Sequence, residues 1–167
     1  MRKLLFLLFI PLVSFGQLTF KDVMSISSLD QFKRVMIENT YEFNDIDDDG
    51  WVSYGFNIVR DSIDGNRSSS WTAYNKTDNR WAINFSRGNK FAALFGAAFG
   101  VESETDTSKN SYDLIVEEIK EKCKYYKIAN YKGDDYAYYS CPPSSYKGKI
   151  GFAVVEGWGQ IRHFPEE

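Results

Sequence analysis

The sequence predicts an α+β domain built from two helix-plus-antiparallel-strands units, with the helices packed on one face of a mainly antiparallel sheet. Three observations carry this reading. Amphipathic stretches open each half, with N-terminal capping signals in the first. Short runs rich in aromatic and β-branched residues follow, separated by Asp/Asn/Gly turns. The strand-bearing stretches of the two halves also align with one another without a gap.

Residues 1–16 read as a cleaved secretory signal. Arg2 and Lys3 form a positive start, residues 4–10 form an apolar run, Pro11 breaks it, and Ser14 and Gly16 place small side chains before a cleavage site at Gln17. The apolar run is well short of the roughly 20 residues that span a bilayer, so no membrane span is expected after cleavage. The signal resembles those of Gram-negative secreted and periplasmic proteins, and the expected location is periplasmic or extracellular. Removing Arg2 and Lys3 takes Lys+Arg from 20 to 18 against 23 Asp+Glu, so the net charge moves from −3 to about −5. An acidic chain without a basic block argues against nucleic acid as a partner. Residues 17–167 are one domain in length, the first unit about 17–101 and the second about 108–165.

In the first unit, Thr19-Phe20-Lys21-Asp22 has capping-box form and opens a short helix to about Ile26. Ser28-Leu29-Asp30-Gln31 opens a longer one ending near Asn39, with Leu29, Phe32, Val35 and Met36 on one face. Strands are expected at 51–59, 71–74 and 81–85. The apolar run 91–101 reads as a buried short helix or linker, and 102–110 as a polar loop.

The second unit carries the strongest helix signal. Tyr112, Ile115, Val116, Ile119, Cys123 and Tyr126 form an apolar stripe, and Glu118 and Lys122 form an i,i+4 pair outside it. Strands follow at 136–141, 149–155 and 160–164, with Gly157-Trp158-Gly159 as a tight turn. In the gap-free alignment Phe43 matches Ile128, Trp51 matches Tyr136, Tyr54 matches Tyr139 and Phe56 matches Cys141.

Cys123 and Cys141 are the two cysteines, and in an exported chain they form a disulfide. Strand alternation supports the pairing. It puts Ala137, Tyr139 and Cys141 on the face that the Cys123 helix covers, and Tyr136, Tyr138 and Ser140 on the other.

The segment Asp45-Ile46-Asp47-Asp48-Asp49-Gly50-Trp51-Val52-Ser53 matches the first half of an EF-hand loop, with Asp45, Asp47, Asp49 and Ser53 as candidate Ca²⁺ ligands. Phe56 stands where the bidentate Glu belongs, and strand rather than helix follows. A solvated β-turn is the preferred reading, and a weak calcium site in an envelope protein is the alternative. No catalytic residue is assigned. His163 is the single histidine and has no GxSxG-type serine beside it, while both cysteines are committed to the disulfide. A hydrolase using unlocated paired carboxylates is a further alternative.

Aromatic residues make up 17% of the chain, and their placement gives the better lead. Trp51, Tyr136 and Tyr138 fall on the sheet face away from the helices, and Trp158 joins them as a candidate binding residue. Such a face is a recognition surface if it is wet and plain core if another layer covers it. This disposition of aromatics over two helix-plus-strands units resembles the two-repeat exported domains of the β-lactamase-inhibitor-protein type. The resemblance implies a non-catalytic protein-binding role, as an inhibitor or an immunity protein.

Overall fold

A computed structural model describes residues 18–61, 63, 65–87, 110–142 and 147–166. The signal at 1–16, the apolar run 91–101 and nearly all of the loop 102–110 lie outside the described residues. The first two helices begin where the caps predict. Helix α1 (Phe20–Ser25) starts at Thr19, whose hydroxyl accepts from the Asp22 amide while the Asp22 carboxylate accepts from the Thr19 amide. Helix α2 (Leu29–Glu38) starts at Ser28, whose hydroxyl accepts from the Gln31 amide. Helix α3 (Ser111–Lys122) starts at Asn110, whose side chain accepts from the Asp113 amide.

Eight strands appear among the described residues: β1 (Glu42–Ile46), β2 (Trp51–Phe56), β3 (Ser70–Asn75), β4 (Arg80–Ser86), β5 (Lys124–Tyr131), β6 (Asp134–Ser140), β7 (Lys149–Val155) and β8 (Trp158–Phe164). They form one antiparallel sheet in the order β1-β2-β3-β4-β8-β7-β6-β5. Two four-stranded meanders therefore meet where β4 pairs with β8. The chain is α+β, with far more strand than helix.

The structure corrects the sequence reading at four places. Helix α3 stops at Lys122, and Tyr126 belongs to the edge strand β5 rather than to the helix stripe. Tyr125, Tyr126 and Ile128 favour extended backbone, and pairing with β6 satisfies it. A two-residue turn closes that hairpin, with Lys132 and Gly133 both at positive φ (54° and 97°). Trp158 opens β8 instead of sitting in a turn; Glu156 and Gly157 are the turn residues, at φ 48° and 83°. Strand β2 ends at Phe56 because Asn57 turns left-handed (φ 54°), which leaves Val59 in an isolated bridge with Arg67.

The fourth correction concerns the register between the halves. Each meander carries a bulge in its first hairpin, between Phe43 and Asp45 and between Tyr125 and Lys127. Phe43 pairs with Tyr54 and Tyr125 with Tyr139, so the match of Tyr54 with Tyr139 holds while the counterpart of Phe43 is Tyr125, not Ile128. The same edge-on aromatic contact recurs at both places, at 5.8 Å for Phe43 and Tyr54 and 5.6 Å for Tyr125 and Tyr139.

Helix residues and one alternating set of strand residues share a single core. Phe32, Val35 and Met36 of α2 and Tyr112, Ile115 and Ile119 of α3 are buried with Val52, Tyr54, Trp81, Ile83, Ile150 and Ile161. Phe32 meets Tyr54 edge-on at 5.9 Å. Tyr112 seats α3: its hydroxyl donates to the Ala153 carbonyl at 2.9 Å, and its ring lies on Gly159. A Cβ at residue 159 would come within 2.5 Å of that ring, so the close approach needs glycine.

Cys123 caps α3 and is bonded to Cys141 just past β6, both side chains in the main core. The bond ties the end of α3 to the strand that its own chain pairs with two elements later. Closing a loop of 18 residues stabilises the fold by about 3 kcal/mol in the chain-entropy account. Replacing both cysteines by serine is therefore expected to lower the unfolding free energy by about that amount, seen as a lower midpoint in urea unfolding followed by fluorescence. An unchanged midpoint would show that the bond contributes nothing to stability.

Candidate functional site

The sheet face away from the helices is built by the complementary set of alternating residues. From β2 to β8 it presents Trp51, Ser53, Ala73, Ala82, Asn84 and Arg162. Small side chains on β3 and β4 leave the middle of the face low. The β1–β2 loop rises on one side and the tip of the β5–β6 hairpin, with Tyr131 and Lys132, on the other. Between them lies an open cavity of about 450 Å³.

Arg162 stands in this cavity. Its Nε donates to the Tyr136 hydroxyl at 2.9 Å and to Gln160 Oε1 at 3.2 Å, and the Tyr136 hydroxyl donates to the same Gln160 oxygen. The guanidinium also lies 5.8 Å from the centre of the Tyr131 ring and 6.0 Å from that of Tyr136. Burial raises the Tyr136 pKa and the nearby Arg162 charge opposes that rise. The phenol therefore stays a neutral donor, and Gln160 and Tyr136 hold the guanidinium by one edge. Among the described residues Arg162 forms no ion pair. Asn84 adds a buried carbonyl oxygen without a hydrogen-bond partner among the described residues. A fixed guanidinium and an unfilled acceptor, flanked by a half-buried Trp51, can hold a ligand by hydrogen bonds, charge and stacking.

The sequence-predicted residues are distributed unevenly over this surface. Trp51 lines the cavity. Tyr136 and Tyr138 lie on the predicted face but are only 1% and 8% exposed. They form a second small core with Ala153, against which Tyr131, Val155 and Phe164 pack. The Phe164 ring reaches Tyr138 at 4.3 Å by crossing Gly151, where a Cβ would come within 2.6 Å of it. These two tyrosines therefore support the face from below instead of serving as open stacking platforms. Trp158 is half-buried at the start of β8 and does not line this cavity.

Asp45, Asp47 and Ser53 border the cavity as parts of a hairpin. The Asp45 carboxylate accepts from the Ile46 amide at 2.7 Å and that of Asp47 from the Trp51 amide at 2.8 Å. The Ser53 hydroxyl donates to the Asp45 carbonyl and accepts from the Asn44 amide group. Gly50 closes the turn at φ 78°. Among the described residues no group of three or more His, Cys, Asp or Glu side chains converges as a metal site.

His163 lies on the other, core side of the sheet, 2% exposed and stacked on Trp81 at 5.8 Å. Its two ring nitrogens sit 2.9 Å from the backbone carbonyls of Asn79 and Lys147. Burial lowers its pKa, partly offset by those two carbonyls. It cross-links two loops and does not reach the cavity.

Arg162, Gln160 and Asn84 were not among the sequence candidates. Alternation along β8 places Gln160 and Arg162 on the face of Tyr136, a signal present in the sequence. What alternation cannot supply is that β8 pairs with β4 and so brings Arg162 to Ala82. No family model, characterised protein or solved structure matches this chain.

With the Asp45 and Asp47 carboxylates occupied by their own backbone, calcium titrated into the millimolar range should leave tryptophan emission unchanged. A saturable change that disappears in Asp47→Asn would contradict this and reveal a metal site.

Proposed function

We propose that the chain is an exported, non-catalytic binding protein that recognises a protein partner through the sheet face opposite the helices, in the manner of an inhibitor or an immunity protein. The observation that carries this is Arg162, held by Tyr136 and Gln160 in an open cavity beside Trp51, without an ion pair among the described residues. An oriented guanidinium beside a large aromatic ring is the side-chain combination that dominates protein-binding hot spots.

Other features are consistent with the reading. The Cys123–Cys141 bond suits an oxidising compartment, as the leader at residues 1–16 requires. Among the described residues no helix is long and apolar enough to cross a membrane. The cavity-lining hydroxyl of Ser53 is hydrogen-bonded to a backbone carbonyl and to an amide group, not to a side-chain base, which favours binding over acyl or phosphoryl transfer. In this reading the two meanders act as one platform, each with its helices behind it, in line with the resemblance to two-repeat inhibitor domains.

The test is capture from envelope and culture-medium fractions by immobilised mature protein. Trp51→Ala and Arg162→Gln are each expected to lose the partner by about tenfold or more in affinity, while Ile37→Ser, on an exposed helix position, retains it. Thermal melts of all three verify folding. Equal capture by wild type and both sheet-face variants would contradict the proposal.

A further inference from the structure

The edge strand β5 and the cavity beside it combine three properties that point to one kind of occupant. First, β5 is the last strand of the sheet and eight residues long, with Tyr126 and Ile128 57% and 64% exposed. Its outer row of backbone amides and carbonyls faces no strand among the described residues. The opposite edge, β1, is shorter at five residues, and each edge strand carries one bulge, that of β5 at Tyr126.

Second, a cavity of about 630 Å³ runs along β5 on the sheet face away from the helices, with Tyr126, Tyr131, Tyr138 and Phe164 among its walls. It shares Tyr131 with the Arg162 cavity, so the two adjoin at that residue.

Third, its charge is mainly positive. Arg80, Lys127 and Lys149 line it against a single carboxylate, Glu166. None of the three cations takes part in an ion pair among the described residues. Lys127 and Lys149 instead stand over the Tyr126 ring, at 5.4 and 5.2 Å, and Arg80 Nε is buried without a hydrogen-bond partner. This concentration of cations sits on a chain whose net charge is −3.

We propose that an acidic, extended segment of a partner protein adds to β5 as a further strand and sets its inward-facing carboxylates against Lys127 and Lys149, whose ammonium groups both stand at Tyr126 of that strand. Backbone pairing along the edge supplies affinity, and the side-chain period of two places every second residue over the cationic cavity. A second copy of this chain is the wrong occupant, because its β5 carries Lys124 and Lys127 and no carboxylate to meet them. The proposal rests on the reading of this sheet face as a protein-binding surface and names the chemistry of what it binds.

The probe is a synthetic extended peptide alternating glutamate and valine, titrated into uniformly ¹⁵N-labelled mature protein. Saturable shifts are expected at the backbone amides of β5, with affinity falling about tenfold or more in Lys127→Glu/Lys149→Glu and falling as salt is raised. The double variant's own spectrum verifies its fold. A lysine-valine peptide of equal length should not bind.

Absence of saturable shifts with the acidic peptide overturns the proposal, as does equal affinity in the double variant. Binding of a uronate oligosaccharide at the same amides in place of the peptide overturns it in favour of a saccharide. Two outcomes separate this proposal from the broader reading. Partner capture that depends on Trp51 while the peptide fails to bind refutes only the β5 proposal. Peptide binding at β5 with capture indifferent to Trp51 and Arg162 refutes only the cavity reading.

Discussion

The pairing of β4 with β8 is the constraint on which the rest depends. Its register sets Ile83 opposite Ile161 and Ala82 opposite Arg162. Both isoleucines are fully buried in the core with the helices, and Arg162 faces the cavity. A slip of one residue would exchange these sets and drive an unpaired guanidinium into the apolar core. The register is therefore fixed by the cost of burying a charge as much as by the gain from burying isoleucine. It also assembles the cavity face, since Trp51 and Ser53 come from the first meander and Tyr131, Lys132 and Arg162 from the second.

Two glycines on the second meander let large rings approach the sheet from opposite sides. Gly159 accepts Tyr112 from the helix side, which brings α3 down onto β8. Gly151 accepts Phe164 from the other side, which lets that ring reach Tyr138 and close the small second core. Each aromatic pair contributes about 0.5–1.5 kcal/mol beyond the area it buries. The more telling consequence is positional. The buried Tyr136 places its hydroxyl on the Arg162 Nε, so the second core acts as a rigid mount for the guanidinium. With the disulfide fixing the end of α3, the second meander is restrained on both faces.

Much of this was legible from residues alone. The caps at Thr19 and Ser28 located two helix starts, and simple alternation separated Tyr136 and Tyr138 from Tyr139 and Cys141. That alternation also placed both cysteines in the same layer. What failed was local ambiguity and long-range contact. Tyr126 continues the helical period of α3 and equally suits a strand, and only the partner strand β6 decides between them. The three residues between Ile128 and Tyr125, the true counterpart of Phe43, reflect hairpin loop length: five residues separate Ile46 from its partner Val52 and two separate Tyr131 from Asp134, a difference that a gap-free alignment cannot show. The burial of Tyr136 and Tyr138 depends on Phe164 reaching across Gly151. The role of Arg162 depends on the β4–β8 pairing. Neither is a property of any short segment.

The most direct test is native-state hydrogen exchange of the β4 and β8 backbone amides, set against the global unfolding free energy from denaturant. If that pairing joins the meanders into one cooperative sheet, the slowest amides of both strands exchange only through global unfolding and share its free energy, while those of the edge strands β1 and β5 open more easily. Exchange of β8 at a distinctly lower free energy than β4 would mean that the second meander opens on its own. The shared face would then not be a single platform.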